Sequence, residues 1–451
     1  MNKEILRLAV PSIFANLTVP LVGMADLAIA GHLNGPSAIL IAAVSVGSML
    51  FDILYWNFGF LRAGTGGLTA QAYGRQDMRG AADILSRSLG IAWVSALVLI
   101  VLQTLFLDLA FLVVSCSDEA GGLAERYFRI RIWAAPATLS LMALRGWFIG
   151  MQDSVSSMWT DGIVNVGNVL LSLALSFGGM GFDGIAWGTL LAQYAGLLFA
   201  GAVLTFKYGR RVFSDYRLRD ALQAFRGQET GRFFRMNGNL FLRSLAFMAI
   251  YFGYTVIAAR YGDLMLAAAS ILMKLLLIFS YFTDGFAYAG EALTGRFIGA
   301  REIPRMRQAV RRTFVWSLSV AGFFLLVYGF GGEALVGLMS SDAAVRGACR
   351  PFLPWLLAMP LVGCAAFTWD GIYIGATETK ELRRSTFWAV AAFFGVWLAG
   401  LWISGWRLLP SHAGTAAEAA IHLLLGAYFA HLAARTLYLS LRYPALLRSL
   451  R

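Results

Sequence analysis

Residues 67–75, GLTAQAYGR, and residues 292–300, ALTGRFIGA, lie over one another without a gap at an offset of 225. IAAVSV (41–46) meets LAAASI (266–271) at the same offset, and RGWFIG (145–150) meets DGIYIG (370–375). Matches that share one spacing across half a chain mark an internal repeat, so the fold is built twice from one plan.

The material of each copy is apolar. Of 451 residues, 59% are hydrophobic and 14% charged, and the mean hydropathy is +0.67, a balance that a soluble protein of this size cannot hide in its core. The chain reads as an all-α integral membrane protein, because its apolar runs are long where β-barrel strands would alternate over short segments. Forty-eight glycines against 10 prolines suit closely packed transmembrane helices. A net charge of +12 does not indicate nucleic acid here, since the arginines stand between apolar runs as topology signals. Cys116, Cys349 and Cys364 have no metal-ligand spacing and read as free thiols. MNKEILRLAVPSIF (1–14) has no small-residue cleavage site, so the first helix is expected to stay in the mature chain.

A hydropathy window of about 19 residues marks twelve spans, near 4–31, 38–73, 83–114, 121–150, 155–177, 184–206, 233–260, 265–298, 310–331, 345–375, 384–404 and 418–440. The longest polar connection, between the sixth and seventh spans, carries Lys207, Arg210, Arg211, Arg217, Arg219 and Arg226. Alternate loops on that side are basic as well, with Arg75 and Arg79, Arg301 and Arg305, and Lys380 and Arg383, whereas HLNGPS (32–37) and GGMGFDG (178–184) are nearly free of basic residues. The positive-inside rule therefore places both termini in the cytoplasm. The expected organisation is an N-terminal six-helix lobe (1–206), a cytoplasmic linker (207–232) and a C-terminal six-helix lobe (233–451), pseudo-symmetric about an axis along the membrane normal. Two such bundles leave a cleft that rocking can expose to either side, which is the architecture of alternating access.

Four segments, VPLVGMADLAIAGHL (19–33), FGFLRAGTGGLTAQAYG (58–74), DGFAYAGEALTGRFIGA (284–300) and WDGIYIGAT (369–377), carry a resemblance that runs over nearly the whole chain. They resemble the DinF branch of the multidrug and toxic compound extrusion (MATE) family. The resemblance implies a V-shaped pair of six-helix lobes and cation-driven export of small organic, often cationic amphipathic, compounds, usually by proton antiport in this branch. It implies that Asp26 is the family's first-helix acid, tied to proton coupling, and that amides stand at the positions of Asn165 and Asn168. Asp52 and Lys274 lie inside spans at positions that are not family hallmarks.

The residues carry their own chemistry. Pro20 has no amide for the carbonyl of Asn16, so the first helix is expected to hinge there. Asp26 stands near the C-terminal end of that helix, where the macrodipole and desolvation both favour the neutral acid, as a protonation switch requires. Asp161, Asn165 and Asn168 share one face of the fifth span. They read as a cation-coupling group with Asp26, the asparagines supplying its polar partner, or as interhelical hydrogen-bond glue. The repeat maps position 62 onto 287 and Arg145 onto Asp370, so Arg62 and Arg145 are expected to pair across the cleft with Asp284, Glu291 and Asp370, or each lobe to keep a static network. Tyr55, Trp56, Tyr281 and Tyr288 are weaker candidates for lining a site for a flat organic cation, since aromatics also face lipid. Lys274 at its depth should be paired or neutral.

No G-x-x-x-x-G-K-[ST], H-E-x-x-H or G-x-S-x-G occurs, so neither P-loop ATP use nor a hydrolase site is expected and the protein is not read as an enzyme. No cofactor, catalytic residue or metal site is expected. The expected coupling ion is H+, with Na+ left open because Asp161, Asn165 and Asn168 offer oxygen ligands. A lipid-linked precursor flippase is the alternative function. The expected partners are a small organic substrate and membrane lipid, with no nucleic acid, for a monomer in the bacterial inner membrane.

Overall fold

The computed structural model of the protein describes residues 1–450 except 113, 115, 215, 227 and 410–415, and describes only the backbone at 218 and 228. Among the described residues every regular element is helical. Twelve helical spans among the described residues are long and apolar enough to cross a membrane. The first six are Asn2–His32, Ser37–Gly74, Met78–Val101, Asp118–Gly150, Ser154–Met180 and Asp183–Val212. The second six are Glu229–Ala259, Asp263–Gly299, Ile303–Met339, Pro354–Gly375, Thr379–Ile403 and Ala417–Ser449. This is a multi-pass membrane protein.

Two spans are shorter than hydropathy suggests. The third stops at Val101, where Leu102 leaves helical geometry (φ −90°, ψ 8°) before a separate helix, Gln103–Phe111. The tenth opens at Pro354, after a short helix Ala343–Cys349 and a turn Arg350–Phe352. Pro351 and Pro354 have no amide to continue a helix through them, and Pro354 is suited to a first turn. The first span, by contrast, runs unbroken through Pro11 and Pro20. Cys116, Cys349 and Cys364 are free thiols.

The chain forms two compact units. One comprises Val10–Asn237; the other comprises Met1–Ala9 together with Gly238–Arg451. The first nine residues thus group with the C-terminal half, where Glu4 meets Arg296 at 3.2 Å. The basic connection also departs from a free linker at 207–232. It forms helices Gly209–Val212 and Leu218–Gln223 that belong to the N-terminal unit. Arg87 Nε donates to the Ala224 carbonyl at 2.6 Å, Arg79 meets Asp220 at 2.8 Å, and the Tyr216 hydroxyl donates to Asp83 at 2.8 Å. These bonds satisfy backbone and charge that a loose loop would leave to water.

The repeat survives in atomic detail. In the N-terminal unit, a Cβ on Gly146 would lie 2.1 Å from the Arg62 carbonyl oxygen, and one on Gly150 would lie 2.7 Å from that of Gly66. In the C-terminal unit, Gly371 and Gly375 face the carbonyls of Ala287 and Glu291 at 2.0 and 2.3 Å in the same way. The second and fourth spans, and the eighth and tenth, therefore cross backbone to backbone over a small-xxx-small pair.

The ends of those four spans match too. Gln76, Gln152, Arg301 and Thr377 are left-handed, with φ of 58°, 63°, 60° and 60°. The next residue in each case is an acid, Asp77, Asp153, Glu302 or Glu378, whose amide reaches five residues back, at 2.8 to 3.0 Å, to the carbonyl of Ala72, Phe148, Phe297 or Tyr373. This is the six-to-one bond of a Schellman ending, and each acid then stands at the N-cap of the following helix.

Candidate functional site

Asp26 is buried, 3% exposed, in the C-terminal half of the first span, and its Oδ1 has no hydrogen-bond partner. The charge that acts on it is the guanidinium of Arg131, on the fourth span. Arg131 is held by its own helix and by the second span. It donates to the Tyr127 hydroxyl one turn earlier at 2.8 Å, and its guanidinium stands 4.6 Å from the centroid of Phe51 and 5.6 Å from that of Tyr127. Phe51 in turn stacks on Phe128 at 4.6 Å and on Tyr55 at 5.5 Å. The base thus sits among aromatic rings, within electrostatic range of the buried acid, a setting in which charges act strongly on one another.

The fifth-span residues do not join this pair. Asp161 is bonded by Arg145 of the fourth span. Asn165 donates to the Thr18 hydroxyl of the first span, and Asn168 donates to Thr189 of the sixth at 2.7 Å. Thr18 precedes Asp26 by eight residues, about 12 Å along a helix. The expectation that Asn165 and Asn168 supply Asp26's polar partner is therefore corrected. The three residues share a face, but three different helices pack against that face, and each takes one of them.

In the C-terminal unit, the Asp370 carboxylate is bonded by both Arg243 and Arg435. Arg435 is 2% exposed. The two guanidiniums lie 4.8 and 4.7 Å from the centroid of Phe247. His431, one turn before Arg435, is buried against Tyr428 at 4.6 Å. Arg145 and Asp370 are thus each satisfied inside their own unit, by Asp161 and by Arg243 with Arg435. Bases do not segregate to one half and acids to the other, as the repeat arithmetic suggested. Both halves carry acid–base pairs because an unpaired buried charge costs several kcal/mol (~3–5 on truncation of a partner).

Arg62 is half-buried at the crossing with Gly146, Glu291 is fully buried with its carbonyl against Gly375, and Asp284 is half-buried within electrostatic range of Tyr251. Tyr281 and Tyr288 are half-buried, while Trp56 is exposed. Lys274 is exposed on its unit's surface, which removes the need for a buried partner.

At the far ends of the fourth and fifth spans, Asp153 accepts hydrogen bonds from Lys207 Nζ and the Tyr208 hydroxyl, each at 2.7 Å, and from the Ser156 amide at 3.3 Å. Burial alone would raise its carboxyl, but these donors and the Lys207 charge outweigh burial and hold it below the usual carboxylate value.

A family model described as MatE matches residues 11–174 and 240–399, one stretch in each half of the repeat. The chain belongs to the MATE family. Over 408 residues it is 34% identical to DNA damage-inducible protein F of Escherichia coli (strain K12), covering 90% of this chain and 88% of that protein. It is 24% identical over 406 residues to a probable multidrug resistance protein NorM of Rhizobium meliloti (strain 1021), covering 88% and 84%. Among solved structures, a MATE protein in the bent conformation matches with a TM-score of 0.84 at 18% identity, covering 99% of this chain and 96% of that one. MATE proteins are transporters, so this one is a transporter and not an enzyme.

Sequence reasoning about this MATE transporter passed over Arg131, Arg243 and Arg435. A signal for Arg131 was present in AERYFRIRIW (124–133). Arg129 pairs with Glu125 one turn back and Arg126 with Asp183, which leaves Arg131 without a carboxylate one turn away and with only Tyr127 there. For Arg243 and Arg435, 127 and 65 residues from Asp370, no local signal exists.

Proposed function

We propose that this MATE transporter is a proton-coupled antiporter that exports small organic compounds by alternating access, working as a monomer in the bacterial inner membrane with both termini in the cytoplasm. The observation that carries the reading is Asp26: a buried carboxyl in a membrane span, with one oxygen lacking a hydrogen-bond partner. Such a group is costly to keep ionised and cheap to protonate, so it exchanges a proton whenever water or a substrate reaches it. The NorM relative is named a probable multidrug resistance protein.

Sodium is the weaker choice. A sodium ion needs several oxygens converging on one point, and the trio that offered them is dispersed: Arg145 takes Asp161, Thr18 takes Asn165 and Thr189 takes Asn168. The test is dye efflux from proteoliposomes under an imposed pH gradient, without and then with sodium, for wild type and Asp26→Asn. Proton-driven efflux lost in Asp26→Asn is expected. A sodium requirement, or full coupled efflux in Asp26→Asn, would overturn the assignment.

A further inference from the structure

The third span, Met78–Val101, carries one stripe of residues at helical spacing that changes partner halfway along. Over its first half the stripe holds the connection between the sixth and seventh spans. Arg79 meets Asp220, Asp83 accepts from the Tyr216 hydroxyl, Arg87 donates to the Ala224 carbonyl, and the Phe225 ring lies over Gly90 so closely that an added Cβ would collide with it. From there the same stripe runs on as Val94, Leu97 and Val101, all apolar and exposed. An exposed apolar stripe on a membrane span is the surface that lipid covers. Trp93, exposed just past Gly90, is the kind of side chain that marks the boundary between headgroups and hydrocarbon. The basic connection is therefore docked on a lipid-facing flank, at the level of the headgroups, and it ends where the apolar surface begins.

The docking engages acids and leaves bases outside. Residues 207–232 hold seven basic residues against three acids. Asp220 accepts from Arg79 and from the Arg217 amide at 2.9 Å, and Asp83 of the third span is taken by Tyr216. In the helix Leu218–Gln223 and the turn after it, Asp220 and Ala224 meet the third span, whereas Arg219, Leu222 and Arg226 are exposed at i, i+3 and i+7, on the opposite face. Arg210, Arg211 and Arg217 are exposed as well. Guanidinium groups are weakly hydrated and bind phosphate oxygens in pairs. Basic side chains held against a bilayer surface recognise its anionic lipids, and Leu222, flanked on its face by two arginines, adds an apolar contact of the kind that interfacial helices use.

We infer that the outer face of this connection, centred on Arg217, Arg219 and Arg226, binds the phosphate headgroups of anionic phospholipids in the leaflet that meets this end of the third span. A zwitterionic phospholipid carries the same phosphate, but its own ammonium offsets the charge, so the arginines discriminate against it. The inference does not depend on what the transporter exports.

The test titrates purified full-length protein in detergent with phosphatidylglycerol or phosphatidylcholine of identical acyl chains and counts bound lipid by native mass spectrometry. Wild type is expected to bind phosphatidylglycerol about tenfold more tightly than phosphatidylcholine. The combined variant Arg217→Gln, Arg219→Gln and Arg226→Gln should bring the two affinities to within about twofold. The control Arg129→Gln, Arg260→Gln and Arg346→Gln removes three exposed arginines outside the connection and should keep the wild-type preference. A second measurement needs no substitution: the preference of wild type should shrink as ammonium acetate is raised, because salt screens exposed charges. Equal affinity for the two lipids in wild type, a preference unmoved by the first variant, an equal loss in the control, or a preference insensitive to salt would overturn the inference. Displacement of phosphatidylglycerol by free glycerol phosphate at the lipid's own concentration would overturn it too, since the site would then serve a soluble anion and not the membrane.

Discussion

Gly146 rests on the carbonyl oxygen of Arg62 so closely that a methyl group there would lie 2.1 Å from it, and 225 residues later Gly371 does the same to Ala287, at 2.0 Å. A backbone atom cannot swing aside as a flexible side chain can. Gly146→Ala and Gly371→Ala should therefore each force the paired spans apart, costing about 1–3 kcal/mol or more. Thermal unfolding in detergent checks this. Gly162→Ala is the control, since nothing stands within 4 Å of its added Cβ, and it should leave the midpoint unlowered.

Asp370 should not tolerate neutralisation alone. Asp370→Asn leaves Arg243 and Arg435 facing each other across Phe247, with an expected loss of about 3–5 kcal/mol. Adding Arg435→Leu to Asp370→Asn removes one stranded cation and should recover part of that loss. A double-mutant cycle on unfolding midpoints reads the coupling, and strict additivity would show that the carboxylate and Arg435 do not act as a pair.

The Asp153 cluster predicts a pH dependence with a definite sign. Because its carboxyl is held below the ordinary aspartate value of 3.8 in the folded protein, its contribution to stability is complete above that value and is lost as pH falls through the lower folded value. Asp153→Asn should lower stability at pH 6–8 by about 1 kcal/mol, a figure reduced for the exposure of Lys207. The gap between wild type and variant should close in acid, below roughly pH 4. Melting curves across pH decide it, and a gap that widened in acid would contradict the sign.

Arg301 is exposed and left-handed, with φ of 60°. That conformation costs an L-residue about 1–2 kcal/mol and glycine very little. Arg301→Gly should raise the unfolding midpoint, while Arg301→Val, with its branched Cβ, should lower it.

Asn165 and Asn168 divide their bonds between the first and sixth spans. Their alanine variants should each cost about 1 kcal/mol or less, as interhelical hydrogen bonds in membranes do. If they act only as such ties, proton-coupled efflux in proteoliposomes should persist in both, in contrast to Asp26→Asn.

Hydropathy and the 225-residue spacing suffice for the twelve spans and the doubled plan, because both are properties of the chain read in order. A span must be apolar along its whole length whatever it packs against, and a repeat is a comparison of the chain with itself. RGWFIG and DGIYIG showed where the halves correspond, but not that their glycines are the points of backbone contact. Asp26 was legible as an acid in a span, and its environment was not. Its neighbour Arg131 is more than a hundred residues away, and Arg243 reaches Asp370 over 127. The choice of which base meets which acid is made when helices dock, since a buried charge is stable only beside its partner. The rule that acids in a membrane are functional pointed at Asp26, Asp161 and Asp370 alike. Packing separated them: Asp161 and Asp370 are locked in ion pairs with arginines inside their own units, whereas Asp26 lies buried within electrostatic range of Arg131.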